Sequence, residues 1–239
     1  MANIKVLILF KKQLRLGDGK LYFSRYGRLY NYHKGVESRL SHVFYSYGLN
    51  ENILIDIRDK LVVDVGANIG EFSVYLRKYC GHKGEIIAFE PDPHEFDTLS
   101  QNAALYNLKA INCAVSNVSG KIEFILNNED ADSRLNLIEN DKFQNKISVQ
   151  SVRLNGVLDE LNVKEVGLVK IEAEGFEPEV LQGLDLSNSR VMYFAIDCGP
   201  ERPPDNQSTL VDCLNYLLKN GYELINYNVL RHSILLKKL

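Results

Sequence analysis

The stretch DVGANIGEF, Asp64 to Phe72, is where the fold of this chain declares itself. It follows the apolar run Leu61-Val62-Val63 and leads into a segment where Phe72, Tyr75, Leu76 and Tyr79 recur at the spacing of one buried helical face. A strand, a glycine turn and a helix in that order make the first half of a βαβ unit. Gly66 permits a tight turn and Gly70 a close approach of backbone to ligand, while the helix start offers free N–H groups to a polar or anionic moiety. The spacing G-x-N-x-G lacks the third glycine of a dinucleotide fingerprint, which disfavours NAD. Asp64, near the strand end, suits an amino group better than a pyrophosphate.

The alternation continues outward. Residues 85–89 (EIIAF) predict a second strand, and Phe96, Leu99, Ala103 and Tyr106 one face of a second helix. Glu90 closes the second strand twenty residues beyond Gly70, where a carboxylate can accept from both hydroxyls of an adenosine ribose, and Asp92 lies on the same rim. Residues 109–115 predict a third strand, 121–126 a short one and 155–161 a helix, with the polar stretch 127–150 as loop. Residues 166–171 predict the fourth strand, Pro178 the first turn of a helix, and residues 191–196 the fifth strand. Ser208 is placed to cap a helix whose Leu210, Val211, Leu214, Leu217 and Leu218 face inward and which Gly221 ends. Residues 222–227 and 233–236 then form an antiparallel hairpin closing the sheet. The expected fold class is α/β, a mostly parallel sheet with helices on both faces. Residues 51–239 make up its domain and residues 1–50 an N-terminal extension.

A chain of 239 residues that is 45% hydrophobic supports one large α/β core. Its net charge of -3 supplies no basic field, so no nucleic-acid partner is expected. Cys80, Cys113, Cys198 and Cys213 form no C-x-x-C pair and read as buried thiols. The run Val6-Leu7-Ile8-Leu9-Phe10 is too short for a signal core or a membrane span; it predicts a strand, and a cytoplasmic protein.

VVDVGANIGEFS, AFEPDP, Asn112-Cys113-Ala114-Val115 followed by Ser119-Gly120-Lys121, and VKIEAEGFEPEVLQG together resemble the FkbM family of S-adenosylmethionine-dependent methyltransferases over residues 61–183. The resemblance implies a Rossmann-like methyltransferase sheet of seven strands whose seventh is antiparallel, with S-adenosyl-L-methionine as cofactor. It further implies that Asp64, Gly66, Ala67, Asn68 and Gly70 surround the methionine end, that Glu90 holds the ribose, and that Pro91 and Asp92 shape the adenine side with Ala114 and Val115. The resemblance is specific to the family rather than to a substrate; the leading reading of the activity is O-methylation of a hydroxyl on a small molecule, sugar or glycan. An NAD(P)-dependent oxidoreductase and a non-catalytic scaffold are the competing readings.

The fourth strand ends in KIEAEGFEPEV, Lys170 to Val180, unusually rich in carboxylates. Sheet ends of this type face the ligand crevice, and Glu172 and Glu174, two apart on extended chain, point to one side. Either is a candidate catalytic base for an acceptor hydroxyl. Glu177 and Glu179 read instead as helix-start residues that complement the dipole. Asp197 could bind acceptor or, with Glu172, a divalent cation, though no spacing demands a metal. Arg202 is placed either to grip an anionic substrate or to make a surface ion pair, and His94 reads as a helix-start surface residue. Leu21 to Gly35 interleaves tyrosines with Arg25, Arg28 and Lys34; it reads as a hairpin turning at Gly27, for acceptor recognition or contact with a second subunit.

Overall fold

The computed structural model describes residues 13–16, 19–22, 41, 44–126, 134–135, 146–187 and 189–239. The expected strand at residues 6–10 and the turn at Gly27 lie outside them. The first described elements, β1 (Gln13–Leu16) and β2 (Gly19–Tyr22), pair antiparallel. After α1 (Glu51–Ile57) come β3 (Leu61–Val65), α2 (Glu71–Lys78), β4 (Ile86–Phe89), α3 (Pro93–Tyr106) and β5 (Lys109–Ile111). Every residue of β3 and β4 is buried, as strands covered on both faces require. Pro93 stands in the first turn of α3 behind Asp92, whose carboxylate accepts from His94 N at 2.8 Å.

The third strand departs from expectation. Its first half stays in the main sheet as β5, but the chain then steps sideways and residues 114–115 become β6 (Ala114–Val115) of a second sheet. That sheet has the order β6-β9-β7-β8, built from β7 (Gly120–Ile125), β8 (Arg134–Leu135) and β9 (Lys146–Val152). The stretch 127–150 is therefore not all loop. Phe124 and Val149 of this sheet pack with Ala114 on Phe176, which fixes the segment that follows the fourth core strand.

The main sheet is completed by β10 (Val166–Ile171), β11 (Val191–Asp197), β14 (Tyr222–Asn228) and β15 (Ser233–Lys238), in the order β14-β15-β11-β10-β3-β4-β5, while β12 (Pro200–Arg202) and β13 (Gln207–Ser208) pair antiparallel in a separate ribbon. Only the pairs made by β15 are antiparallel. Helices α4 (Leu154–Glu160), α5 (Glu177–Gln182) and α6 (Leu210–Lys219) belong to one side of this sheet. Side chains alternate across it. Val63, Val65, Val169, Ile171 and Phe194 join a core with α4, α5 and α6, while Val62, Leu168, Tyr193 and Leu235 join a core with α1, α2 and residues 44–49. On α6, Cys213 and Leu217 are buried, whereas Val211 and Leu218 are exposed. The helix begins after Thr209, and the Ser208 hydroxyl still accepts from Leu210 N at 3.2 Å.

Candidate functional site

The glycine turn sits where β3 ends between its neighbours β4 and β10. Gly66 N and Ala67 N donate to Phe89 O at 3.0 and 2.9 Å, tying the turn to the end of β4. Gly66 has φ 69°, and a Cβ there would lie 1.7 Å from Glu172 O, so the end of β10 presses directly on the turn. Gly70 has φ 91°, and a Cβ there would come 2.9 Å from Leu99 Cδ1. Asn102 reaches across from α3 and donates to Ile69 O at 2.7 Å. Strain plus a backbone clash predicts that Gly66→Ala lowers stability by about 3 kcal/mol, read from urea unfolding.

Glu90 is buried beside this turn. Its Oε2 accepts from Asn68 N and its Oε1 from Asp92 N, both at 2.8 Å. Burial pushes its carboxyl up to about 8, against those backbone hydrogen bonds, which pull it down. Asn112 donates to Glu90 O at 2.7 Å and to Pro91 O at 3.2 Å, holding the strand end in place. Gly66, Ala67, Asn68, Glu90 and Pro91 thus lie together at the ends of β3 and β4. Asp92 spends one carboxylate oxygen on capping α3, and Ala114 and Val115 are buried in the second sheet and its junction with the main core.

Asp64 has a different surrounding from the one expected. It is fully buried, its Oδ2 accepts from Ser73 Oγ at 2.6 Å, and Lys170 Nζ stands 3.1 Å from its Oδ1. The strand-end acid does host an amino group, but that of the chain's own Lys170. Register explains the pairing, since Lys170 lies opposite Asp64 across the β10–β3 ladder. The Lys170 ammonium also donates to Gly66 O at 2.9 Å and lies 3.1 Å from Glu172 Oε2. Burial would lower its pKa, but Asp64 and Glu172 outweigh that and raise it, so the lysine stays charged.

Glu172 is the hub of a larger cluster. Tyr47 OH donates to its Oε2 at 2.9 Å, and Arg231 Nη2 donates to its Oε1. Arg231 Nε donates to Asp197 Oδ2 at 2.8 Å, and the guanidinium lies over the Tyr47 ring, 5.6 Å from its centroid. Burial would raise the Glu172 carboxyl, yet Lys170 and Arg231 together hold it down at about 2. Asp197 moves the other way, raised by burial and by the Glu172 charge against the pull of Arg231. The positive charge between Glu172 and Asp197 is a guanidinium, and among the described residues no group of three or more acidic, histidine or cysteine side chains is gathered to hold a metal.

Glu174 does not continue the extended chain. It has φ 51°, in a turn braced by Glu177, whose Oε1 accepts from Ala173 N at 2.9 Å and from Gly175 N at 3.1 Å. The alternation that put Glu172 and Glu174 on one side therefore stops at the turn. Thr209 donates to Glu177 Oε2 at 2.8 Å, so this carboxylate organises the loop. Arg202 makes a two-pronged pair with Glu179, at 2.9 and 2.6 Å, which is the ion-pair alternative for that residue. Lys170, whose signal was a lone lysine in a wholly apolar strand, carries weight that sequence reasoning did not assign. Tyr47 and Arg231 gave no signal, because only the folded topology brings them to Glu172.

The sequence profile of the methyltransferase FkbM domain matches residues 64–224. This chain belongs to the FkbM methyltransferase family. Among similar proteins, methyltransferase sdnD of Sordaria araneosa is 33% identical over 157 residues, covering 52% of this chain and 60% of its own. The 2-O-methyltransferase NoeI of Sinorhizobium fredii (strain NBRC 101917 / NGR234) is 25% identical over 160 residues, covering 59% of this chain and 64% of its own. The chain thus spans about three fifths of the length of the curated relatives it matches. The crystal structure of methyltransferase FkbM from Methylobacillus flagellatus KT superposes with a TM-score of 0.52 at 18% identity, over 75% of this chain and 44% of that one. The FkbM domain accordingly has the Rossmann-like methyltransferase fold. Its matched span begins at Asp64 and takes in the glycine turn, Glu90, Lys170, Glu172 and Asp197. Arg231 and Tyr47 fall outside it.

Proposed function

We propose that the chain binds S-adenosylmethionine and methylates a hydroxyl oxygen of a small molecule, sugar or glycan. Glu90 is the observation that carries this reading. Each of its oxygens already accepts one backbone N–H, which leaves further lone pairs for the two hydroxyls of a ribose. Beside it the turn is tight, the Cβ positions of Gly66 and Gly70 being taken up by Glu172 O and Leu99, and Ala67 and Asn68 on that turn face the methionine end in this reading. Three carboxylates, Asp64, Glu172 and Asp197, against two cations, Lys170 and Arg231, leave that ion-pair cluster with one formal net negative charge, beside Glu90. A sulfonium and an ammonium suit that field. Similarity to the 2-O-methyltransferase NoeI supports oxygen as the acceptor atom.

S-adenosylmethionine supplies an electrophilic methyl group on a cationic sulfur. The protein's part is to align the acceptor with it and take up the hydroxyl proton. Glu172, held at about 2 between Lys170 and Arg231, is too weak a base to take that proton and serves as the fixed anion of the cluster. The proton acceptor in this reading is Glu174, on the braced turn after β10. Pro91 and Asp92 shape the adenine side, with Ala114 and Val115 as the apolar wall behind them.

Calorimetric titration with S-adenosylmethionine, S-adenosylhomocysteine and NAD tests the reading. The first two should bind and NAD should not; preference for NAD, or indifference to all three, would refute it. Glu90→Gln should weaken S-adenosylhomocysteine by about ten- to a hundredfold through loss of a charged acceptor. A diol donating to Glu90 favours its ionised form, so its carboxyl pKa falls on binding from about 8. Affinity should therefore rise with pH, by up to about tenfold per unit, level off above about 8, and lose that slope in Glu90→Gln.

A further inference from the structure

We infer that Val229 and Leu230, at the tip of the β14–β15 turn, take the apolar part of an amphipathic acceptor whose hydroxyl end enters the Glu172–Arg231–Asp197 cluster. The inference rests on the proposed function and names a substrate class for the same site. β15 is antiparallel to both β11 and β14, so β14 runs with β11 and its turn stands at the same sheet edge as the ends of β10 and β11. From that turn Arg231 reaches inward to Glu172 and Asp197. The two residues before it face water, Val229 65% exposed and Leu230 97%.

Single exposed apolar residues are ordinary, but the backbone that carries this pair is tied down on both sides. Asn228 Oδ1 accepts from Leu230 N at 3.1 Å and from Arg231 N at 3.3 Å, while Asn228 Nδ2 donates to Ser46 O at 2.9 Å. Ser233 Oγ donates to the same Ser46 O at 2.7 Å, and Cys198 N to His232 O at 3.2 Å. A turn braced on both flanks presents its apolar tip at a fixed place, one residue from a guanidinium inside the site. Burial of that tip adds nothing to folding, so its hydrophobic gain is available to whatever docks there. Arg231 Nη1 makes no hydrogen bond among the described residues and can donate to an acceptor oxygen. Polar groups inside and an apolar lip outside match a hydroxyl-bearing head on a hydrocarbon body.

The test uses the full chain with labelled valine and leucine methyl groups, followed by NMR. S-adenosylhomocysteine is titrated first, then octyl glucoside and methyl glucoside below the micelle concentration. Octyl glucoside should move the Val229 and Leu230 methyl signals and methyl glucoside should not. The Val229→Ser, Leu230→Ser double variant, checked by its thermal melt, should weaken octyl glucoside by about tenfold or more and leave S-adenosylhomocysteine binding unchanged. If octyl glucoside leaves these signals unmoved, or if they shift with protein concentration alone because a second copy covers the lip, the inference fails. Absence of S-adenosylhomocysteine binding would instead sink the function on which it rests.

Discussion

Replacing Lys170 with methionine should lower the folding stability by about 3–5 kcal/mol, the cost of leaving a buried charge without its partner. The lysine side chain is 2% exposed and Asp64 0%, so no water replaces the missing ammonium. Among the described residues, Asp64 would retain only the Ser73 hydroxyl, and Glu172 would lose one of its two cations. The carbonyl of Gly66 would lose a donor at the same time, loosening the turn that faces the ligand crevice. Adding Asp64→Asn removes the orphaned charge and should restore part of the loss, because the amide keeps the shape of the carboxylate. Urea unfolding of the three proteins reads the effect directly. A loss under about 1 kcal/mol for Lys170→Met would place this ion pair with surface bridges and remove it from the account of the site.

Glu174→Gln should lower kcat by about 10²- to 10⁴-fold, the usual contribution of a positioned general base, and leave cofactor affinity unchanged. The prediction depends on the turn that carries Glu174. Glu177 holds the amides on either side of it, and a Cβ on Gly175 would lie 2.6 Å from Arg202 Cα, so the turn has little freedom to move. Glutamine keeps size and polarity but has no proton affinity in the working range. Stopped turnover with intact S-adenosylhomocysteine binding is the expected pattern. Unchanged turnover would remove Glu174 from the reaction, and loss of both would assign it to the turn's structure. Glu172→Gln differs in kind, since it strips Arg231 and Lys170 of their common anion and should reduce stability as well as rate.

The core strands were legible because parallel strands buried on both faces read as unbroken apolar runs; β3 and β10 fall where those runs stand. The sideways step at Asn112-Cys113 was not, since local sequence carries no mark of which sheet a strand joins. β9 was hidden for another reason. KISVQSV places Ile147 and Val149 at period two, but Lys146, Ser148 and Gln150 alternate with them and the next inward position is the polar Ser151, so the apolar run is broken as in a strand with one wet face. At the site, Gly66 and Glu90 could be picked out because a glycine turn and a strand-end acid have fixed chemical uses. Lys170 required the register that sets it opposite Asp64, and Arg231 required knowing that the final hairpin returns to the end of β11. Asp64, which the sequence placed toward a cofactor amino group, meets the ammonium of Lys170 through that register.

A crystal structure of the protein with S-adenosylhomocysteine tests the central claim most directly. The account predicts both ribose hydroxyls within about 2.6–3.0 Å of the Glu90 carboxylate, with the amino-acid end over the Gly66–Gly70 turn. An empty crevice, or a ribose held away from Glu90, would contradict it.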